Sequence, residues 1–261
     1  MTSSEAGFLS AYRQDAWPRP SVAVDLAIFT VRDGRLEALL IRRAEHPFQG
    51  EWALPGGFLR IGESPGDQGE DLEEAAHREL ASETGLAPRT CYLEQLYTFG
   101  RAGRDPRMRV ISVAWFALVP PDRADEVHAG GDAEEARWVA WPELGLEERS
   151  LEDLQAAATE RSPGQPNGTG LAFDHAVILK VAVERLRGKL SYSPIAHQLV
   201  PPQWTAGELR AVYEAIEGRP LERSNFYRRL RRLEELGHAA EVGMRGGRGR
   251  PARLYSFAGP G

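Results

Sequence analysis

The chain has 261 residues, 42% of them hydrophobic and 27% charged, with a formal net charge of −6 at pH 7. That composition suits a globular protein of one large or two ordinary domains. The single cysteine, Cys91, excludes an internal disulfide and a cysteine-rich zinc site, and no apolar run approaches the roughly 18 residues of a membrane span. The first residues (MTSSEAGFLSAYRQD) lack the basic start and apolar core of a secretory signal, so a cytoplasmic protein without membrane contact is expected. The charge is unevenly spread. From Ser191 onward there are 11 Arg and 7 Glu with no Lys or Asp, a net +4, which leaves −10 for the rest. Such asymmetry predicts two domains with different partners.

In chain order, residues 1–20 read as an extension. Ser21 to Val31 (SVAVDLAIFTV) is β-branched and apolar, and Arg32-Asp33-Gly34 predicts a turn into a second strand at Leu36–Arg42. Leu54-Pro55-Gly56-Gly57-Phe58 breaks the chain. Asp71 to Thr84 (DLEEAAHRELASET) has helical spacing, with Asp71 as its cap and Gly85 as its left-handed stop. Further strands are expected at Cys91–Phe99, at Arg109–Val119 and around Trp138. Arg161–Gly170 reads as a loop and Phe173–Arg187 as a longer helix. Residues 191–202 read as a linker punctuated by Ser193-Pro194 and Pro201-Pro202. After it come helices at Thr205–Glu217 and Ser224–Leu236, then two short strands around a Gly/Arg-rich turn.

The first helix carries chemistry. Glu79 and Glu83 are four residues apart and so share a face. Two carboxylates on one face repel unless a hard dication sits between them, and Mg²⁺ takes oxygen ligands together with substrate phosphates. Arg78-Glu79-Leu80-Ala81-Ser82-Glu83-Thr84-Gly85-Leu86, with Glu70 eight positions before Arg78, resembles the Nudix box, and Gly57 follows the strand and turn that open it. The resemblance implies a pyrophosphate-binding domain in which Glu79 and Glu83 are metal ligands. Glu70 assists metal or water, and Arg78 pairs with Glu70 to hold the preceding loop. Two departures accompany the match. The interval from Gly57 to Glu70 is stretched, so that Glu63 has the usual spacing from the glycine but not to Arg78. Ser82 stands where a further glutamate is usual, and a hydroxyl is a poor Mg²⁺ ligand. Weak Mg²⁺ binding and vestigial catalysis are therefore expected, because fold and activity are separable.

Tyr97-Thr98-Phe99-Gly100 followed by Arg104-Asp105-Pro106-Arg107 resembles a segment of Nudix proteins that act on ADP-ribose. It marks Arg107 and Arg104 for bidentate phosphate contacts and Tyr97 or Phe99 for stacking on adenine. Asp174-His175 also fits the family, but a lone histidine beside an apolar helix is treated as structural.

Residues 203–261 read as a winged helix. Thr205 with Glu208 forms a capping box; Leu209, Val212, Tyr213 and Ile216 line one apolar face, and Phe226, Leu230 and Leu233 line the next. Around the latter stripe lie Arg228, Arg229, Arg231 and Arg232, with Ser224 and Asn225 at the helix start, a pattern suited to a major groove. Arg245, Arg248 and Arg250 would form a basic wing. Neutralising about six phosphates predicts a salt slope near ~−5 in log affinity.

A Nudix-like domain at 21–190, a linker of the form SYSPIAHQLVP, then FYRRLRRL and GRPARLYSF together resemble the Nudix-related transcriptional regulators, the NrtR family. The resemblance covers about residues 21–258. It implies an α+β chain: a Nudix α/β/α sandwich with a mixed sheet, then a C-terminal winged helix-turn-helix. It also implies a homodimeric repressor of a pseudo-palindromic operator, sensing ADP-ribose or a related nucleotide-diphosphate metabolite and controlling genes of NAD metabolism or sugar use. The alternative is a working Mg²⁺-dependent ADP-ribose pyrophosphatase with an appended domain.

Overall fold

The computed structural model describes residues 5–13, 16–62, 67–86, 91–128, 130, 133–160, 168–246 and 251–257. A short helix, α1 (Glu5–Ala11), precedes the first domain. Strands β1 (Ser21–Arg32) and β2 (Arg35–Arg43) form the expected hairpin. Its turn places Asp33 and Gly34 at φ +49° and +72°, the doubly left-handed geometry that matches strand twist. Two short strands follow, β3 (Trp52–Ala53) and β4 (Gly56–Phe58). Helix α2 (Leu72–Thr84) starts at a capping box between Asp71 and Glu74. The rest of the domain is β5 (Tyr92–Phe99), β6 (Val110–Leu118), α3 (Pro121–Ala124), β7 (Ala133–Ala140), α4 (Leu151–Thr159) and α5 (His175–Lys189).

The sheet is mixed, in the order β3-β2-β1-β6-β5, with β4 also paired to β1 and β7 to β2. Only the β1–β6 pair among the described strands is parallel, and β1 is buried on both faces, which explains its near-continuous apolar run. Alternation along β1 divides the core. Val24, Leu26 and Ile28 pack with Ala75, Ala76 and Leu80 of α2. Ala27, Phe29 and Val31 join Ile178, Leu179, Ala182 and Leu186 of α5. A helix on each face of a mixed sheet is the expected sandwich.

The second domain contains β8 (Trp204–Thr205), α6 (Ala206–Glu217), α7 (Arg223–Glu235), β9 (Ala240–Arg245) and β10 (Ala252–Ser256). β10 lies between β8 and β9, and Trp204 stacks on Tyr255 and Phe257 with ring centroids 5.0 and 4.9 Å away. Residues 191–202, expected as a linker, hold a 3-10 turn at Ile195–Leu199. Ile195, Ala196, Leu199 and Val200 are buried in the same cluster as α5 and α6, because an apolar segment of this length gains more by packing than by spanning solvent. Arg187 of α5 extends the contact: its Nε donates to the Ile216 carbonyl at the end of α6 at 2.8 Å, while both Nη atoms pair with Glu147.

Candidate functional site

Strand β4 crosses beside β1 and brings the box glycines against helix α2. A Cβ on Gly57 would stand 2.1 Å from Oε1 of Glu79, so this position accepts no side chain without displacing the carboxylate. Gly85 ends α2 at φ +73°, and a Cβ there would lie 2.1 Å from the ring of His128. Both glycines of the sequence pattern thus have a steric reason.

Arg78 organises the box. Its Nε and Nη2 donate to the two carboxylate oxygens of Glu70 at 2.8 and 2.5 Å, and Nη2 also reaches the Phe58 carbonyl at 3.1 Å. Nη1 donates to Glu79. Hydrogen bonding from Arg78, opposed by some burial and helped by the Arg60 amide, holds the Glu70 carboxyl below its usual range. Glu79 and Glu83 are both buried on the face of α2 toward the sheet. Ser82 directs its hydroxyl at the Glu79 carboxylate and carbonyl, each 3.4 Å away. A guanidinium therefore already stands against two of the three box glutamates, and a neutral hydroxyl replaces a further carboxylate. Among the described residues no group of three or more metal-ligating side chains comes together. Glu63 lies outside the described residues.

Tyr97 and Phe99, on β5, meet edge to face with centroids 5.5 Å apart, and Tyr97 is exposed. They border a cavity of about 590 Å³ whose other walls include Arg101, Gln155, Asp174, Val177 and Val181. An aromatic wall, aliphatic residues of α5 and a few polar groups suit a nucleoside.

Arg104 departs from expectation. Rather than offering its guanidinium to a phosphate, it buries it, with a two-point fork on Asp174 (3.0 and 2.6 Å) and a contact to Asp25 at 3.0 Å. Its side chain is only 5% exposed. The cause is Asp25, an acid within the buried strand β1, which needs a counter-charge. Burial would raise the Asp25 carboxyl, but facing His175 and Arg104, with a hydrogen bond from Ser112, brings it below its usual value. His175 accepts from the Leu54 amide through Nδ1 at 2.8 Å and faces Asp25 at 3.6 Å; burial outweighs the nearby carboxylates and lowers its pKa. The sequence signal for this cluster was a single aspartate in an otherwise apolar strand. Arg107 is half-exposed, oriented by Asp105 through Nε (3.1 Å) and Nη2 (2.7 Å).

On the second domain, α7 is capped by Glu222, whose carboxylate accepts from the amides of Ser224 and Asn225. Ser224 also donates its hydroxyl to Glu222, and Asn225 accepts from Arg228 at 2.5 Å. Arg228, Arg231 and Arg232 are exposed along the outer face of the helix. Arg229 of the expected DNA set is placed differently from its neighbours. It turns inward, with its guanidinium 4.6 Å from the Tyr213 ring centroid and 3.5 Å from Glu217, because a helix carrying arginine on most sides directs one of them toward the neighbouring helix. Arg245 is exposed but held by Glu208 (2.7 Å) and the Gln203 carbonyl (2.9 Å). Arg248 and Arg250 lie outside the described residues.

Residues 20–160 match the Nudix domain family, and residues 196–257 match the NrtR DNA-binding winged helix domain. The fold and the two matches define a Nudix domain joined to a winged helix, the architecture of a transcription regulator. The chain belongs to the NrtR family. It is 36% identical over 259 residues to the ADPR responsive transcriptional repressor of Acinetobacter baylyi, covering 98% of this chain and 89% of that one. The crystal structure of Shewanella oneidensis NrtR complexed with a 27mer DNA is similar at a TM-score of 0.66 and 32% identity, over 90% of this chain and 93% of that one. The Nudix domain of the same Shewanella protein, complexed with ADP ribose, matches at a TM-score of 0.52 and 31% identity, over 70% of this chain and 99% of that one. No helix among the described residues is long and apolar enough to cross a membrane.

Proposed function

We propose that this protein is an ADP-ribose-responsive transcriptional repressor. Its Nudix domain binds ADP-ribose or a related nucleotide-diphosphate metabolite, and its winged helices, paired in a homodimer, bind a pseudo-palindromic operator. Genes of NAD metabolism or sugar use are the expected targets. The observation that carries this reading is the exposed row of Arg228, Arg231 and Arg232 on α7, in a chain that is otherwise acidic and whose α7 is packed, through α6 and α5, to a nucleotide-sized cavity. An effector that releases DNA must bind the DNA-free arrangement more tightly, by linkage.

Ser82, which supplies no charge beside Glu79, supports sensing rather than hydrolysis. In this role Arg78 fixes the loop before α2, Gly57 and Gly85 keep the backbone close, and Tyr97 and Phe99 face the base. Operator selection with the purified full chain, followed by fluorescence anisotropy with and without ADP-ribose, tests the regulator; failure to enrich any duplex refutes it. AMP release from ADP-ribose with Mg²⁺ tests the rest. Equal inactivity of wild type and Glu83→Gln is expected, whereas wild-type turnover lost in that variant would establish a hydrolase.

A further inference from the structure

The arginines on the outward face of α7 are held in different ways. Phe226, Leu230 and Leu233 are buried, so at about 100° per residue the opposite side of the helix is centred on Ser224, Arg228 and Arg231. Arg223 lies over the Tyr227 ring at 5.7 Å, and the Nε of Arg231 donates back to the Tyr227 carbonyl at 3.4 Å, which lays both side chains along the helix. Arg228 differs. Its Nη2 donates to the Oδ1 of Asn225 at 2.5 Å, and Asn225 sits about one turn nearer the helix start. Both residues are exposed.

The first turn of α7 is closed to a phosphate. Glu222 accepts the Ser224 amide through Oε1 and the Asn225 amide through Oε2, each at 3.0 Å, and the Ser224 hydroxyl also donates to it. That hydroxyl, then the two amides, and last the charge of Arg228 hold the Glu222 carboxyl below its usual range, so it is an anion at neutral pH. Helix N-termini seat DNA phosphates through these same amides. Here a carboxylate occupies them and repels the DNA backbone. The end of a recognition helix that enters the major groove must then meet DNA through side chains, and the Asn225–Arg228 pair stands there.

The pair has a defined chemistry. Arg228 takes the carboxamide oxygen of Asn225, which leaves the Asn225 amino group and the other guanidinium N–H groups to meet a base. All of these are donors. An asparagine that reads adenine needs its oxygen for the N6 amino group as well as its nitrogen for N7. Guanine presents two acceptors, N7 and O6, on its major-groove edge, and an arginine fork matches both. We propose that Arg228, aimed by Asn225, is the base-reading side chain of α7 and selects guanine at one symmetric position in each operator half-site. Asn225 is then a positioning residue and not an adenine reader. The assignment rests on the operator binding proposed above. The guanidinium also carries its charge into the groove, so losing it lowers the salt dependence together with the base preference.

Selection from a randomised duplex library by the full chain, then anisotropy on the selected duplex and its single-base variants, tests the assignment in wild type, Arg228→Ala, Asn225→Ala and Asn225→Asp. Wild type prefers guanine at one position of each half-site by about tenfold or more, and Arg228→Ala flattens that preference while leaving the other positions as they are. Asn225→Ala lowers the guanine preference by about threefold, the worth of one aiming hydrogen bond. Asn225→Asp keeps the acceptor oxygen and so keeps the preference, although its charge weakens every duplex alike. Base preference is a ratio measured on folded protein, so a change in stability does not move it. A guanine preference that survives Arg228→Ala, with all duplexes weakened equally, makes Arg228 a phosphate contact and overturns the proposal. So does a wild-type operator without such a guanine. If Asn225→Ala leaves the guanine preference intact, or removes an adenine preference instead, the positioning role is overturned. Wild type that enriches no duplex refutes operator binding itself, and this assignment with it.

Discussion

Replacing Arg104 with methionine keeps the length of the side chain and removes its charge. In the folded protein that charge is shared by Asp25 and Asp174, all three side chains being 11% exposed or less. Deleting one partner of a buried ion pair typically costs about 3–5 kcal/mol, because the remaining charge is left in a dry site. Here two carboxylates would be stranded, so the upper part of that range is expected near pH 7. The pH dependence has a definite sign. In wild type the Asp25 carboxyl is held below its usual value of 3.8, so its contribution to stability is present above that pH and is lost only as the pH falls below it. Without Arg104, the burial that raises the Asp25 carboxyl loses one of its main counterweights, so protonation of Asp25 relieves the variant already in mildly acidic solution. Urea unfolding followed by fluorescence of the six tryptophans, at pH 7 and pH 5, reads both effects. A deficit under about 1 kcal/mol at pH 7, or one equally large at pH 5, refutes the buried-pair account. A variant of normal stability that loses ADP-ribose affinity would return Arg104 to the phosphate-contact role that its sequence context suggested.

Gly85→Ala combines a left-handed backbone with a Cβ 2.1 Å from the His128 ring, and should lower stability by more than about 1 kcal/mol in thermal unfolding. Arg228→Ala should weaken duplex binding and reduce the salt slope by about 1, while Arg229→Ala leaves the slope unchanged and costs about 1 kcal/mol of stability through the lost Tyr213 contact. Anisotropy across a salt series, with melting curves, separates the two; identical slopes for both variants would refute the distinction. Arg187→Ala should leave ADP-ribose and operator affinities each within about threefold, yet shrink the factor by which ADP-ribose weakens operator binding. An undiminished factor would show that the Glu147–Arg187–Ile216 contact carries no coupling.

Much of this protein was legible as local pattern. The doubly apolar β1, the Asp71 capping box, the Gly85 stop and the Thr205–Glu208 box are short-range rules, and each element formed within two residues of its expected bounds. The box also announced the Arg78–Glu70 pair, since their spacing is fixed by one loop and one helix. Small elements such as β3, β4, α4 and the 3-10 turn at Ile195–Leu199 were not legible, being too short for a periodic signal and defined by what they pack against. The arginines show the boundary most plainly. Sequence alone determined that positive charge gathers in the last domain and around residue 107. Tertiary structure decided which other guanidiniums are spent internally: Arg104 on Asp25 and Asp174, and Arg229 on Tyr213 and Glu217. An arginine's long side chain meets partners tens of residues away, and whether it faces solvent depends on which distant carboxylate the fold has buried nearby.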